Sequence, residues 1–204
     1  MTYLVQEQLK PHGLKGISGD QIEEHWGLYK GYVTNTNALL AELAQAGVGS
    51  RHWAELKRRA GFEWNGMVLH EYYFGGLASG MPMNRRSALG ERLVQGWRSV
   101  DAWQEDFAKT GMIRGIGWVI LYHDPLTDSL FNWWVSDHEV NHPAGLNPIL
   151  VLDVFEHAYM VDHGTAGRSR YIDAFLENVN WGVVEQRFAD SRARKAVSRF
   201  SAAA

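Results

Sequence analysis

Apolar residues recur at helical spacing through roughly the first half of the chain. A long periodic stretch extends from about Asp20 to Gln45. Ser18, followed by Gln21 three residues later, forms a capping-box pattern before this stretch, and Gly47 and Gly49 end it. The same signals predict further helices, separated by a loop at 80–84, over residues 50–61, 64–78, 87–96 and 99–110.

The periodicity changes after residue 111. Strand-like runs cover residues 115–122 and 130–135, and a turn at 124–128 joins them as a hairpin. A third apolar run over 149–152 ends in Asp153, and helices return from about residue 169. This order predicts an α+β fold, with an N-terminal helical hairpin region followed by a three-stranded antiparallel sheet and surrounding helices.

Composition removes several classes of protein from consideration. The chain has 204 residues, of which 46% are hydrophobic and 21% charged, so we expect a folded protein. Its net charge of −3 argues against a nucleic-acid binder, and no apolar run approaches the ~18 residues needed to span a membrane. The N-terminus has no secretory pattern, and we expect a cytoplasmic protein. The basic stretch over 187–199 is interpreted as a solvated terminal helix.

The absence of cysteine directs the search for chemistry to the nine histidines and to carboxylates. Asp153 follows the apolar run over 149–152, and His157 comes four residues later. A carboxylate in such a run is expected to be buried, and a buried charge must be paired or must bind a metal. His70 lies on an apolar helical stripe, and His25 shares a helix face with three hydroxyl-bearing residues, Tyr29, Tyr32 and Thr36.

Each of these residues also has an ordinary structural interpretation. Asp153 could pair with the backbone or with an arginine, and His25 and His70 could be hydrogen-bonded histidines of the core. Taken together, three histidines and one aspartate without cysteine form a nitrogen and oxygen donor set. That set suits iron, manganese or zinc better than calcium or magnesium.

The same residues carry a resemblance to the iron/manganese superoxide dismutases. The run over 153–159, Asp-Val-Phe-Glu-His-Ala-Tyr, is similar to that family's Asp-Val-Trp-Glu-His-Ala-Tyr signature. His25 with Tyr-Val-Thr-Asn-Thr-Asn over 32–37, and His-Glu-Tyr-Tyr-Phe over 70–74, resemble the family's two upstream ligand helices. Gly-Ile-Gly-Trp over 115–118 resembles the opening of its first strand.

This resemblance covers about residues 10–185 and implies a single metal ion bound by the chain. Its ligands would be His25, His70, Asp153 and His157, with a solvent molecule as the fifth. The ion would be iron or manganese, since zinc cannot change its oxidation state. The implied reaction is the disproportionation of superoxide, a small anion, to oxygen and hydrogen peroxide.

The family also implies an assembly and a division of the chain. A homodimer or tetramer is expected. Residues 1–85 would form an N-terminal helical domain that supplies two histidine ligands. Residues 86–204 would form a C-terminal α/β domain that supplies the aspartate and the third histidine.

Several residues match family positions around the metal. Tyr32 matches the gateway tyrosine that bonds the solvent network, and Trp118 matches an aromatic wall of the site. Phe155 matches a second wall, although the family usually has tryptophan there. Three further matches lie at the funnel or at a subunit interface: Arg168 at the funnel, and Glu156 and Tyr171 at the interface.

The chain departs from the family pattern at three places. His25 and Tyr32 are seven residues apart, whereas the family has eight, which fits an ordinary α-helical path in place of a bulge. Tyr29 stands where the family has a histidine, and Met160 stands where it often has a tyrosine. In the family those two residues bond each other across the interface, so that network must be rebuilt or absent here.

The family also places a glutamine against the metal-bound solvent from one of two positions. The first position, four residues before His70, is Gly66 and is therefore empty. The second corresponds to His138, which matches a variant with histidine in place of glutamine and is our candidate for the residue that sets the metal's potential. This pairing favours iron. The alternative is that His138 is an ordinary loop histidine.

Two other functional classes stay open on these residues. One is a metalloprotein of the same fold with other redox or oxygen chemistry, which the altered surroundings permit. The other is a non-catalytic metal-binding protein, which zinc would favour. A carboxylate-bridged di-iron bundle needs two Glu-x-x-His motifs on facing helices, and the sequence has one, at 139–142 in a loop.

Overall fold

A computed structural model describes residues 2–194 and has the α+β order that the sequence predicts. Helices come first, three strands follow, and helices close the described part of the chain. The elements are α1 Gly19–Gln45, α2 Arg51–Gly75, α3 Ala88–Trp97, α4 Val100–Gly111, β1 Gly117–Asp124, β2 Ser129–Ser136, β3 Asn147–Asp153, α5 Met160–His163, α6 Arg168–Glu177 and α7 Trp181–Ala193.

Helices α1 and α2 pack against each other as the predicted hairpin. Both begin at a serine N-cap, because a side-chain oxygen there satisfies a backbone N–H that the helix leaves unpaired. The Ser18 hydroxyl accepts a hydrogen bond from the Gln21 N–H at 3.0 Å, and the Ser50 hydroxyl accepts one from the Trp53 N–H at 3.1 Å. The buried sides of the two helices then meet along their length.

The prediction of two separate helices over 50–61 and 64–78 was wrong. Helix α2 continues through Gly61 and ends at Gly75. A glycine inside a helix costs only about 1 kcal/mol relative to alanine. A break at Gly61 would give up several backbone hydrogen bonds and the packing of α2 along α1, so the helix persists. The short helix α5 was not predicted.

The sheet has the strand order β2-β1-β3, and both pairs are antiparallel. The central strand β1 is buried along its whole length, between its two neighbours and the helices that cover it. Trp118 near the start of β1 lies opposite Asp153 at the end of β3 and opposite Val135 of β2. This register places Asp153 beside the first residues of the central strand, at the end of the sheet that faces α1 and α2.

Gly117 makes the entry to β1 possible. Its φ of 145° is one that other residues rarely adopt, and an added Cβ would overlap the carbonyl oxygen of Val135 on the paired strand. We expect Gly117→Ala to lower the free energy of unfolding by about 1–3 kcal/mol, because both the backbone and the pairing must shift. Chemical denaturation would measure it. Gly47→Ala, where a Cβ meets nothing within 4 Å, is the control, and equal stability of the two variants would contradict this account.

The basic stretch over 187–199 is only partly described. Within α7, the Arg187 guanidinium lies 4.8 Å from the ring centroid of Tyr72, and burial lowers the pKa of Arg187 to about 10. The interpretation of a solvated helix was therefore wrong for Arg187, because this side chain packs against Tyr72 of α2. Residues 195–199 lie outside the described part of the chain. Among the helices of residues 2–194, none combines the length and apolar character needed to cross a bilayer.

Candidate metal centre

The helical hairpin supplies two fully buried histidines. His25 on α1 and His70 on α2 lie on the faces that the two helices turn toward each other and toward the sheet. Their ring centroids are 4.9 Å apart. The Nδ1 atom of His70 is 2.5 Å from the carbonyl oxygen of Gly66, one turn earlier. Because a carbonyl only accepts, Nδ1 carries the hydrogen, and Nε2 is left with a lone pair that faces the site.

The end of β3 supplies the other two candidate ligands. Asp153 is fully buried, and its Oδ1 accepts a hydrogen bond from the Phe155 N–H at 2.8 Å, which turns the chain after the strand. A single 3₁₀ turn over Glu156–Ala158 then brings His157 back toward Asp153. The signature residues therefore form a tight loop that places a carboxylate and an imidazole side by side.

Gln21 holds this loop against α1. Its side-chain amide donates a hydrogen bond to the carbonyl oxygen of His157 at 2.6 Å and accepts one from the Val161 N–H at 3.0 Å. The sequence suggested a capping box, but only the Ser18 half is formed, because the Gln21 side chain turns to this loop instead. Sequence reasoning thus missed Gln21 as a support of the site. No sequence signal distinguished it, because the N-cap pattern already accounted for a glutamine at this position.

Four ligand atoms converge on one point. The Nε2 atoms of His25, His157 and His70 lie 3.0, 3.2 and 3.7 Å from Oδ2 of Asp153. All four candidate ligand atoms lie within 4.8 Å of one another. Among the four side chains only that of His157 is partly exposed, at 25%, so the cluster opens toward solvent past this residue.

The electrostatics of the cluster suit metal ligation. Burial lowers the pKa of His25 and, more strongly, that of His70, so both imidazoles are neutral at pH 7. Burial alone would raise the pKa of Asp153, but the neighbouring His157 and His25 outweigh it and hold that pKa well below its usual range. Neutral imidazole and ionised carboxylate are the forms that bind metals.

Unsatisfied atoms provide a test of whether an ion fits. Within the described residues, His70 Nε2 and His25 Nδ1 are buried without a hydrogen-bond partner. Such atoms are uncommon in native proteins, and each calls for an explanation. A cation at the point where three imidazoles face one carboxylate would satisfy His70 Nε2, and the donor set suits iron, manganese or zinc. The residues present therefore fit the ion that the resemblance implies.

His138 lies beside the cluster and is buried. The Trp118 indole Nε1 donates a hydrogen bond to His138 Nδ1 at 3.0 Å, and His138 Nε2 is 2.7 Å from the Tyr32 hydroxyl. Burial lowers the pKa of His138 to about 4, so its ring is neutral. Since Nδ1 accepts, the ring hydrogen is on Nε2 and points to the Tyr32 oxygen. The hydroxyl hydrogen of Tyr32 is thereby free to donate elsewhere.

Aromatic rings close the cluster on this side. Tyr32 stacks near His70, with ring centroids 5.2 Å apart, and Phe155 stacks on both His138 and His157, at 4.8 and 5.0 Å. Trp118 meets His70 edge-on at 5.1 Å. These rings surround the imidazoles with apolar surface, which limits the access of water.

Gly66 has a second role besides accepting the hydrogen bond from His70. An added Cβ at Gly66 would lie 2.5 Å from Cδ1 of the Tyr32 ring, so the ring rests directly on the backbone of α2. The sequence identified Gly66 as an empty position. The structure gives the reason, because the Tyr32 ring occupies the space that a side chain would need.

Tyr29, which stands where the family has a histidine, makes hydrogen bonds of its own. Helix α1 is a regular α-helix throughout, so Tyr29 and Tyr32 both stay on the face of His25. Tyr29 is fully buried, and its hydroxyl accepts a hydrogen bond from the Gln6 N–H at 3.0 Å and donates one to Glu71 at 3.0 Å. Its hydroxyl therefore ties the N-terminal segment to the hairpin.

The residues expected at the funnel or near an interface differ in how far they are exposed. Glu156 and Met160 are exposed on one side of the signature loop. Arg168 Nη1 donates to the Gly115 carbonyl at 2.9 Å, while its Nε and Nη2 are buried without a partner within the described chain. Tyr171 is fully buried, and its hydroxyl donates to the carbonyl oxygen of Asp153 at 2.8 Å, which supports the site from behind.

Comparisons with known proteins agree with this arrangement. The family model for iron/manganese superoxide dismutases, C-terminal domain, matches residues 85–187. The chain is 38% identical to superoxide dismutase [Fe] of Aquifex aeolicus, over 90% of this chain and 89% of the relative. It is 36% identical to superoxide dismutase [Fe] of Cupriavidus metallidurans, over 88% and 92%, and 31% identical to superoxide dismutase [Mn] 2 of Haloferax volcanii, over 89% and 90%.

Proposed function

This chain belongs to the iron/manganese superoxide dismutase family, and we propose that it disproportionates superoxide at one iron or manganese ion held by four residues. The observation that carries the proposal is the convergence of three imidazole nitrogens on one buried carboxylate oxygen. The proposed ligands are His25, His70, Asp153 and His157.

The bound ion would supply two accessible oxidation states, so that one superoxide loses an electron to give oxygen and the next gains an electron to give peroxide. The balanced reaction consumes two protons for two superoxide anions. The protein must therefore deliver protons to the site while keeping bulk water away from it. This requirement decides the roles that we propose for the residues around the ligands.

Tyr32 is proposed to hold the nearest deliverable proton. Burial raises the pKa of Tyr32 to about 12, so its hydroxyl stays protonated in neutral solution. The neutral His138 donates to the Tyr32 oxygen and accepts from Trp118, which fixes the hydroxyl and leaves its hydrogen free to point into the site. His138 is thus proposed to orient Tyr32 and to tune the metal through it.

The remaining residues are proposed to control the access of superoxide to the site and the exclusion of water from it. Trp118 and Phe155 are proposed to wall the site and to exclude water. The opening past His157 admits a small anion. Arg168, whose guanidinium keeps unpartnered nitrogens, is proposed as the positive charge that attracts superoxide to this funnel.

We propose iron rather than manganese as the ion in this chain. The Tyr32 ring occupies the space that a side chain at position 66 would need, so a glutamine cannot reach the site from α2. His138 stands at the alternative position and bonds Tyr32. The more similar relatives named above are iron enzymes, while one is a manganese enzyme. Metal analysis of the purified protein tests this choice.

The assembly is proposed to be a homodimer or tetramer formed through the signature loop. Glu156, Met160 and Val161 are exposed together there, and a second subunit could cover them. In that arrangement Glu156 would reach the partner's ligand histidine, and Tyr171 would support the interface from within its own subunit. Sedimentation velocity of the wild type and of Glu156→Ala would test this. We also propose a cytoplasmic location, which the cysteine-free composition suits.

Stopped-flow decay of superoxide, normalised to the iron and manganese bound per chain, tests the proposed activity. Fast decay per metal ion is expected. Slow decay with the metal bound would favour the same fold with other redox chemistry, and the altered surroundings at Tyr29, Tyr32, Met160 and His138 would be the first place to look. Bound zinc without activity would favour a non-catalytic role.

Gly66→Ala tests the packing of Tyr32 separately from the metal. The added methyl must displace the Tyr32 ring, so we expect metal to be retained while decay per metal falls about tenfold, and stability to fall by about 1–3 kcal/mol. Gly27→Ala on α1, where a Cβ meets nothing within 4 Å, is the control and should gain about 0.5–1 kcal/mol. Full activity of Gly66→Ala would exclude a role for the Tyr32 position.

A further inference from the structure

Two aromatic rings pack against His138, and one of them comes from the part of α2 that precedes His70. Phe62 meets the His138 ring edge-on, with ring centroids 4.6 Å apart and an angle of 72° between the ring planes. The Phe62 centroid is also 6.1 Å from that of Tyr32. Phe155 stacks on the same imidazole at 4.8 Å. The two rings therefore limit the movement of the side chain that bonds Tyr32.

His138 depends on such contacts because its own backbone lies in a tight turn. The backbone N–H groups of Ser136 and Val140 each donate to the other residue's carbonyl oxygen, at 3.0 and 3.1 Å, and His138 lies between them, outside the helices and strands. Helix α2 approaches this turn closely, since a Cβ added at Gly61 would lie 3.6 Å from Oε2 of Glu139. Packing against α2 therefore helps to set where the His138 ring lies.

Arg59 lies over the Phe62 ring. Its guanidinium carbon is 3.7 Å from the ring centroid. Its Nε donates a hydrogen bond to Oε1 of Glu63 at 2.9 Å, and the Glu63 side chain is only 8% exposed. Phe62 and Glu63 follow Arg59 by three and four residues, so the three side chains share one face of α2. The buried carboxylate thus anchors a planar cation on the ring that packs against His138.

We propose that Arg59 is a positioning residue, which clamps Phe62 onto His138 and so maintains the hydrogen bond between His138 and Tyr32. It acts through two contacts, the guanidinium on Phe62 and Phe62 on His138. The Arg59 side chain is 55% exposed, and a cation over an aromatic ring at an exposed site changes an equilibrium about two- to fivefold. This inference rests on the proposed function, in which His138 orients the Tyr32 hydroxyl.

Replacing Arg59 in the holoenzyme tests the clamp. In Arg59→Gln we expect metal content to be unchanged and the decay of superoxide per metal ion to fall about two- to fivefold. The reduction potential should shift in the same direction as in His138→Ala but by less, because the same hydrogen bond is weakened. Arg59→Lys keeps a cation and should restore part of both. Arg58→Gln is the matched control, since Arg58 is 72% exposed and paired with Glu55, and it should match the wild type.

Two further measurements separate clamping from the attraction of superoxide by a positive charge. In a Phe62→Leu background, Arg59→Gln should change neither the rate nor the potential further, because the contact through which Arg59 acts is already absent. An attraction between exposed charges weakens as salt screens it. The ratio of the wild-type rate to the Arg59→Gln rate should instead stay constant as sodium chloride is raised from about 10 to about 200 mM.

Three outcomes would overturn the proposal. One is an Arg59→Gln variant that matches Arg58→Gln in rate and potential. Another is an effect of Arg59→Gln that persists in full in the Phe62→Leu background, and the last is a loss of rate that disappears at high salt. Should Phe62→Leu be unstable, the salt series and the comparison of Arg59→Lys with Arg59→Gln decide. If the wild type holds its metal without decaying superoxide, the proposed function fails, while the potentials of the variants still test the clamp.

Discussion

Replacing His70 by alanine is expected to remove the bound metal and, with it, the decay of superoxide. His70 Nε2 is buried, has no hydrogen-bond partner within the described residues and faces Asp153 Oδ2 at 3.7 Å. Its loss would remove one of the four proposed ligands. Removing a partner around the ligands already costs about 10- to 100-fold in metal affinity or activity, so loss of a ligand should cost more.

The measurement is iron and manganese per chain, with stopped-flow decay on the same sample. His52→Ala is the matched control, because His52 lies on the same helix α2 with 63% of its side chain exposed. That control should keep full metal content and rate. Circular dichroism would verify that His70→Ala is folded. Stoichiometric metal in a folded His70→Ala variant would refute the ligand assignment.

Replacing His138 by alanine is expected to leave the metal in place and to lower the rate per metal ion by about 10- to 100-fold. His138 does not belong to the cluster of four ligand atoms, so metal content should be unchanged. The Tyr32 hydroxyl would lose the donor at 2.7 Å that orients it, and Trp118 would lose its acceptor. The reduction potential of the metal should shift as well, because this network lies beside the ligands.

His138→Gln should recover part of the rate, since an amide can still donate to the Tyr32 oxygen. His12→Ala, at an exposed position, is the control for a general loss of histidine. Potentiometric titration would report the potential alongside the rate. If His138→Ala matched the wild type in both rate and potential, His138 would be an ordinary loop histidine and its proposed role would be lost.

Local pattern was sufficient for most of the fold. Serines at helix starts, glycines at helix ends and the change from helical to alternating periodicity identified α1, α3, α4 and the three strands. The exception was α2, where Gly61 was interpreted as the end of a helix. A glycine inside a helix costs only about 1 kcal/mol relative to alanine, and the packing of α2 against α1 outweighs this cost. Such a contest between propensity and packing cannot be settled from the local sequence.

The candidate ligands of the site could be predicted from the sequence for a different reason. Histidines and an aspartate within apolar runs are informative because burying such groups is costly unless they are satisfied. His25, His70, Asp153 and His157 were therefore conspicuous, and the structure brings their ligand atoms within 4.8 Å of one another. Gln21 was not conspicuous, because an N-cap pattern explained it without any distant partner.

The sequence by itself determined the order of the helical and strand regions, the donor types and the family to which the chain belongs, since those properties depend on residue identity and spacing. Tertiary structure alone decided where the hydrogen atoms and side-chain contacts fall. It seated the Tyr32 ring on Gly66, paired His138 with Tyr32 and directed the Tyr29 hydroxyl to the N-terminal segment. It also left Thr36 Oγ1 and Glu63 Oε2 buried without a hydrogen-bond partner in the described part of the chain. These contacts join residues far apart in the chain, and their geometry depends on how whole helices pack, which no local pattern specifies.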